Sequence, residues 1–206
     1  MDKHIQMENS PQVINKVILK VTDFLEKLLQ QMNLQSHDRV IEIGCGDGSI
    51  CRKLASMAHL GAVVGIESSN EVIDLARSES ANFSNILYLW VDAKKIPWQE
   101  KYFTHAVSIA TLTDNSDRER MLNELFRVLT PNGSLWMLLV LSDENPPTEL
   151  STSADHQPAS QATVNDLYAM LRRCSFQQIS HSLITGKGIN QTATGALIIN
   201  ASRPPD

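Results

Sequence analysis

Basic charge is scarce in this sequence. Its 206 residues hold 18 Lys and Arg against 23 Asp and Glu, a formal net charge of -5, and no basic run exceeds Lys94-Lys95 or Arg172-Arg173. No field is available to track a phosphate backbone, so nucleic acid is disfavoured as a partner. Cysteine is scarce as well: Cys45, Cys51 and Cys174 are odd in number and lack C-x-x-C spacing. That pattern speaks against a disulfide framework and a zinc site, and it fits reduced thiols in a cytoplasmic protein. His4, His37, His59, His105, His156 and His181 are scattered without metal-ligand spacing, so no metal is assigned. His181 either faces the active-site side or sits solvated in an edge strand, and the second is the expectation for a lone histidine. Long apolar runs are missing, and the start, Met1 to Glu8, has no apolar core of the kind a secretory signal needs. The expectation is a soluble, unexported chain with no membrane insertion.

What is present centres on Val40-Ile41-Glu42-Ile43-Gly44-Cys45-Gly46-Asp47-Gly48-Ser49-Ile50. An apolar run breaks into alternating glycines and resumes with helical character, which reads as strand, tight turn and helix start. Glycine at alternate positions lets the backbone take positive φ and lets a ligand approach the main chain. Glu42, near the strand's end, is expected to aim a carboxylate into that space, which suits a ligand bearing an ammonium group. A dinucleotide fingerprint needs its third small residue one place later, where Ser49 stands, so a dinucleotide-dependent reductase is disfavoured.

Upstream, Ser10-Pro11 opens an amphipathic pattern through Val17, Ile18, Val21, Phe24, Leu25, Leu28, Leu29 and Met32. Downstream, a helix through Cys51, Leu54, Ala55 and Met57 precedes the apolar strand Ala62 to Ile66, which ends in Glu67. That carboxylate falls close to the interval at which a βαβ nucleotide fold places an acid on the ribose hydroxyls. Ser68 to Arg77 reads as a helix with Val72, Ile73, Leu75 and Ala76 inward. Ile86 to Val91 forms a third strand running into Asp92-Ala93, and Ala106 to Ala110 a fourth. A helix spans Asn115 to Leu129, Pro131-Asn132-Gly133 turns, and Ser134 to Val140 is a further strand. Residues 142–162 carry Asp143, Glu144, Glu149 and Asp155 without Lys or Arg, the composition of a flexible acidic loop. Thr163 to Asp166 resembles a capping box opening a helix through Leu167, Tyr168, Met170 and Leu171. Phe176 to Ile184 and Ala196 to Ala201 read as closing strands.

The acidic-x-Gly-x-Gly-x-Gly phrase at Glu42, Gly44, Gly46 and Gly48 resembles the first motif of the class I S-adenosylmethionine-dependent methyltransferases. Gly65 to Arg77 is similar to their second segment, and Leu125-Phe126-Arg127-Val128-Leu129-Thr130-Pro131-Asn132-Gly133-Ser134-Leu135 to their late segment. The phrase Asp92-Ala93-x-x-x-Pro97-Trp98 looks like the branch containing ubiquinone and menaquinone methyltransferases. One departure stands out, because the usual Asp after Phe103, a brace of the fold, is Thr104 here.

The resemblance implies an α/β, Rossmann-like three-layer sandwich whose mostly parallel seven-stranded sheet ends in an antiparallel hairpin. A single domain is expected over 1–206, comprising a helical cap (1–35), a cofactor-binding half (36–141), the acidic loop (142–162) and a closing helix and hairpin (163–206). The implied reaction is methyl transfer from S-adenosyl-L-methionine, leaving S-adenosyl-L-homocysteine, to a small-molecule acceptor, without a metal. Cofactor contacts are expected at Glu42, Gly44, Cys45, Gly46, Gly48, Glu67, Ser68, Asp92, Ala93 and Ala110, with Asp92 accepting from the adenine amine and the next backbone N–H donating to the ring. Asp114 and Asp143 are the placement-based candidates for a base. The N-terminal helix and the 142–162 loop are expected to roof the acceptor pocket. The alternative is a methyltransferase-like binding protein acting through a partner.

Overall fold

The structure, a computed structural model, describes residues 24–109, 115–141, 161–187 and 193–206. Helix α1 is described over 24–32, and its Phe24, Leu25, Leu28, Leu29 and Met32 are buried at the expected helical spacing. Then follow β1 (Arg39–Ile43), α2 (Ser49–Met57), β2 (Ala62–Glu67), α3 (Asn70–Glu79), β3 (Ile86–Trp90), β4 (Phe103–Ile109), α4 (Asn115–Val128), β5 (Leu129–Leu141), α5 (Gln161–Arg173), β6 (Gln177–Lys187) and β7 (Ala193–Ser202).

The strands form one seven-stranded sheet in the order β3-β2-β1-β4-β5-β7-β6. From β3 to β5 every pairing is parallel, and β7 lies antiparallel to both β5 and β6. Apolar side chains cover both faces. Helices α1, α2 and α3 pack on one face, around Val40, Val63 and Val107. Helices α4 and α5 pack on the other, around Ile41, Ile43, Ala106 and Met137. This is the expected three-layer arrangement with its closing hairpin, and strands buried on both faces explain the near-continuous apolar runs. The chain leaves β1 toward β2 and β3, then crosses to β4 on the other side. The gap outside the carboxyl ends of β1 and β4 is therefore a topological switch point, where open α/β sheets hold ligands.

Three local expectations are corrected. Leu75 is 50% exposed, not inward, because α3 buries the stripe Ile73 and Ala76 and a residue two positions from Ile73 turns away from it. Helix α5 is described from Gln161, so Thr163 already lies inside it and is not its N-cap. The Pro131-Asn132-Gly133 turn sits inside β5 as an irregularity, with register passing from Phe103↔Leu129 to His105↔Ser134. Asn132 N and Gly133 O instead pair with Arg203 O and N at 3.0 and 2.9 Å.

Thr104 does the bracing left open by the missing Asp. Its Oγ1 accepts from Arg39 N at 3.0 Å and donates to Arg39 O at 3.1 Å, tying the start of β4 to that of β1. A hydroxyl that gives and receives does locally what an acceptor-only carboxylate cannot.

Candidate functional site

At the carboxyl end of β1 the chain turns through Gly44, Gly46 and Gly48, with φ of 68°, 54° and 77°. Gly44 N and Cys45 N both donate to Ile66 O, at 2.8 and 3.1 Å, so the loop is pinned to the end of β2. Gly48 is the N-cap of α2 and has no side chain to cap with; a Cβ there would collide with the Tyr88 hydroxyl. At Gly46 the opposite holds, because an added Cβ would meet nothing within 4 Å. The loop is thus crowded behind and open in front, a cradle that a bound group can fill.

Glu67 ends β2 beside this loop. Its Oε1 accepts from Ser68 N at 2.7 Å, Ser68 Oγ at 3.2 Å and Ser69 N at 3.2 Å, while among the described residues Oε2 receives only Gly46 N, at 3.3 Å. With two lone pairs on each oxygen, Oε2 keeps acceptor capacity. Trp90, paired with Glu67 across the β2–β3 ladder, donates Nε1 to Ser68 O at 2.9 Å and is 60% exposed.

Glu42 departs from expectation. It is 1% exposed and accepts from Cys51 Sγ of α2 at 2.8 Å, behind the glycine loop and not in front of it. The reason is strand geometry, since side chains leave a strand perpendicular to the sheet and not along its axis. Burial, opposed in part by the Cys51 bond, pushes its carboxyl up to about 8. The Cys51 thiol is likewise pushed well up, mainly by burial, and Cys45 beside it turns its own thiol to Gly46 O at 3.9 Å. Both sulfurs also close on Gly65, where an added Cβ would meet Cys51 Sγ at 2.8 Å and Cys45 Sγ at 2.9 Å.

After β3, Asp92 forms the head of a turn. Its Oδ1 accepts from Lys94 N at 2.9 Å, its Oδ2 lies 3.2 Å from Lys94 Nζ, and that ammonium also reaches Asp117 Oδ2 at 2.9 Å. Lys94 is held above its ordinary value, first by Asp117 and then by Asp92. Val91 N bonds to Glu67 O at 3.1 Å, which sets Asp92 next to the Glu67 end of the site. The structure therefore brings together Gly44, Cys45, Gly46, Gly48, Glu67, Ser68, Asp92 and Ala93 at the carboxyl ends of β1 to β3, with Glu42 beneath them. Ala110, Asp114 and Asp143 lie outside the described residues, as do the cap before residue 24 and the loop 142–160. His181 is exposed on β6, edge-on to Tyr168 at 5.7 Å between ring centroids and remote from the loop in the sheet order.

Sequence reasoning missed the Tyr88 hydroxyl, which meets Ser80 Oγ at 2.8 Å and Gly48 O at 3.4 Å behind the loop. It also missed Ser108, whose Oγ is buried at the end of β4 with no hydrogen-bond partner among the described residues. An aromatic hydroxyl inside the apolar β3 run was the available signal for the first, and a serine in the β4 run for the second.

An open glycine turn, a carboxylate one strand away and a second acid after the next strand, all at a switch point, define a Rossmann-like α/β protein. Comparison with known proteins makes this specific: residues 34–191 match the methyltransferase domain family, and the chain belongs to it. It is a class I S-adenosylmethionine-dependent methyltransferase. O-methyltransferase rstn1 of Aspergillus nomiae is 24% identical over 182 residues, covering 85% of this chain and 80% of that protein. Demethylmenaquinone methyltransferase of Staphylococcus saprophyticus is 25% identical over 124 residues, 60% of this chain, and the match spans only 52% of that relative. A SAM-dependent methyltransferase structure from Methanosarcina mazei superposes with a TM-score of 0.67 at 22% identity, over 86% of this chain and 98% of that one. Among the described residues no helix is long and apolar enough to cross a membrane.

Proposed function

We propose that the chain transfers a methyl group from S-adenosylmethionine to a small, uncharged or weakly polar organic acceptor. The observation that carries this reading is the cradle at Gly46, open in front and flanked by the Glu67 carboxylate. In this reading Gly44, Cys45, Gly46 and Gly48 present backbone to the cofactor's amino-acid portion. Oε2 of Glu67 accepts from the ribose hydroxyls, Ser68 and Ala93 flank the base, and Asp92 accepts from the adenine amine. The cofactor supplies a sulfonium-bound methyl that already carries its leaving group. What the protein must add is alignment and exclusion of water, and orientation alone is worth on the order of 7 to 11 kcal/mol at the extreme. Where an acceptor oxygen or nitrogen needs deprotonation, Asp114 and then Asp143 are the proposed bases, and Ala110 is proposed to line the cofactor's side.

The acceptor class is supported by the net charge of -5, which leaves no footprint for a polyanion. It is supported too by the relatives' names, one an O-methyltransferase and one acting on demethylmenaquinone. We place the chain in the cytoplasm, in keeping with three free, buried thiols among the described residues. The test is transfer of labelled methyl from S-adenosylmethionine to a panel of small hydroxyl, amine and quinol acceptors, beside thermal shifts with S-adenosylhomocysteine and NAD. Binding only to the folded state adds about 2.7 kcal/mol at a hundred times the dissociation constant. A flat melt with S-adenosylhomocysteine at millimolar concentration would overturn the cofactor assignment.

A further inference from the structure

The turn after β3 makes few bonds of its own. Lys95 N reaches Asp92 O at 3.0 Å and Trp98 N reaches Ile96 O at 2.8 Å, while Pro97 has no N–H to give. Three polar groups of its second half are met from α4. Ile96 N donates to Glu124 Oε2 at 2.8 Å. Arg127 donates Nη2 to Ile96 O at 2.8 Å and Nη1 to Trp98 O at 2.7 Å. The same guanidinium grips Glu124 in a two-point fork, Nε to Oε1 and Nη2 to Oε2, both at 2.8 Å. One residue thus joins two carbonyls of the turn to a carboxylate that holds an N–H of the same turn. Lys94 adds a second tie from Asp92 to Asp117, at the start of α4.

We propose that Arg127, fixed by Glu124, is a positioning residue for the base-recognising end of the site: it sets the Ile96–Trp98 segment and thereby the carboxylate of Asp92. The inference rests on the reading of Asp92 as the acceptor for the adenine amine. Geometry makes the arrangement stiff. A planar guanidinium meeting two carbonyls and a carboxylate at once has little freedom to shift, whereas an ammonium at the same place would satisfy only part of the set. Ile96, 2% exposed in the α4–α5 core, anchors the turn from below. The Arg127 bond also holds the Glu124 carboxyl below the usual carboxylate range, so the fork stays charged at neutral pH. Asp92 lies four residues before Ile96 and is itself 59% exposed. Its placement therefore depends on the turn behind it and on Lys94 more than on packing around it.

The experiment compares calorimetric affinities for S-adenosylhomocysteine and its 6-oxo analogue, S-inosylhomocysteine, in the full chain and in Arg127→Gln, Arg127→Lys and Glu124→Gln. A carboxylate accepts from an amine and repels a keto oxygen, and the proton on N1 of the 6-oxo base also opposes the Ala93 N–H on the same turn, so the unmodified chain should prefer the adenine compound by at least roughly 10- to 150-fold, the worth of one charged hydrogen bond. Arg127→Gln should bring that ratio within about threefold of unity, mainly by weakening the adenine compound, and Arg127→Lys should recover only part of it. If Arg127→Gln weakens both compounds alike and leaves the ratio intact, Arg127 is merely structural and the proposal is overturned. Should Arg127→Gln not fold, Glu124→Gln retains an acceptor for Ile96 N and loses only the charged fork, and an unchanged ratio there overturns the proposal equally. An unmodified chain with no base preference would remove the Asp92 reading, and the proposal with it.

Discussion

Glu42 is the residue whose environment most alters its chemistry. An acid whose pKa is raised on folding leaves the folded chain holding more protons than the unfolded chain between the two values. Its contribution must therefore lower stability as pH rises from 4.5 to about 8. His105, pushed down by burial against a weaker pull from Asp38, works the other way: the folded chain is the poorer proton binder, and stability rises with pH through its ordinary 6.5. The contribution of Glu42 is isolated by difference. Glu42→Gln, a neutral isostere, should abolish its share, leaving the variant more stable than the parent above pH 8 by on the order of 5 kcal/mol and by less than about 1 kcal/mol near pH 5. Denaturant titrations at half-unit pH steps measure this, and parallel curves for the two proteins would show that Glu42 is ionised where it lies. Glu67 makes a separate prediction at the same scale. Glu67→Ala should cost roughly 1.5 to 3 kcal/mol of S-adenosylhomocysteine affinity, as loss of a charged acceptor does, while Leu60→Ala, at a 61% exposed site, should leave it unchanged by calorimetry.

At the scale of elements, the start of α2 is where loop conformation and packing meet. Gly48 has φ of 77° and stands against Tyr88, whose hydroxyl is shared between Ser80 and the Gly48 carbonyl. Gly48→Ala should destabilise by roughly 1 to 3 kcal/mol, combining a left-handed backbone with the steric conflict. Adding Tyr88→Phe removes the colliding oxygen, so the double variant should cost less than the sum of the two single changes in thermal melts. Additive costs would mean that Tyr88 relaxes freely and that only the backbone term operates.

For the molecule as a whole, the parallel core was legible because strands buried on both faces announce themselves as apolar runs, as Ala62 to Ile66 does. The loop was legible because its glycines have little else to do. Legibility failed where a residue's role depends on neighbours distant in sequence. Nothing local to Glu42 tells whether its side chain faces the ligand or Cys51, which is nine positions on and across a turn. Arg127 read only as part of a family phrase, since the carbonyls it holds lie 29 and 31 residues away. Thr104 read as a lost brace, because a hydroxyl's ability to give and receive shows only once Arg39 is placed beside it. Helix ends slipped by one or two residues for the ordinary reason that fraying and capping compete there.

Charge is also a whole-molecule property, and it bears on which partners can approach. The chain carries -5 overall, and Glu42, Asp47 and Glu67 gather around the loop without a basic side chain bonded to any of their carboxylates among the described residues. Such a field attracts a cationic cofactor and repels polyanions. S-Adenosylmethionine, with its sulfonium, should therefore lose affinity between about 0.02 and 0.5 M salt by more than S-adenosylhomocysteine does, as screening lengths shrink from roughly 20 Å to a few Å. The difference should be modest, roughly threefold, because burial raises the Glu42 carboxyl to about 8 and takes most of its charge out of the field at neutral pH. Homopolymer RNA and heparin should neither shift the melt nor compete with either ligand at low salt, where counterion release would most favour them. Calorimetry across the salt series, paired with polyanion competition, reads both effects together. Equal salt slopes for the two ligands would overturn the acidic field at the loop, and displacement by RNA at low salt would overturn the exclusion of polyanions as acceptors.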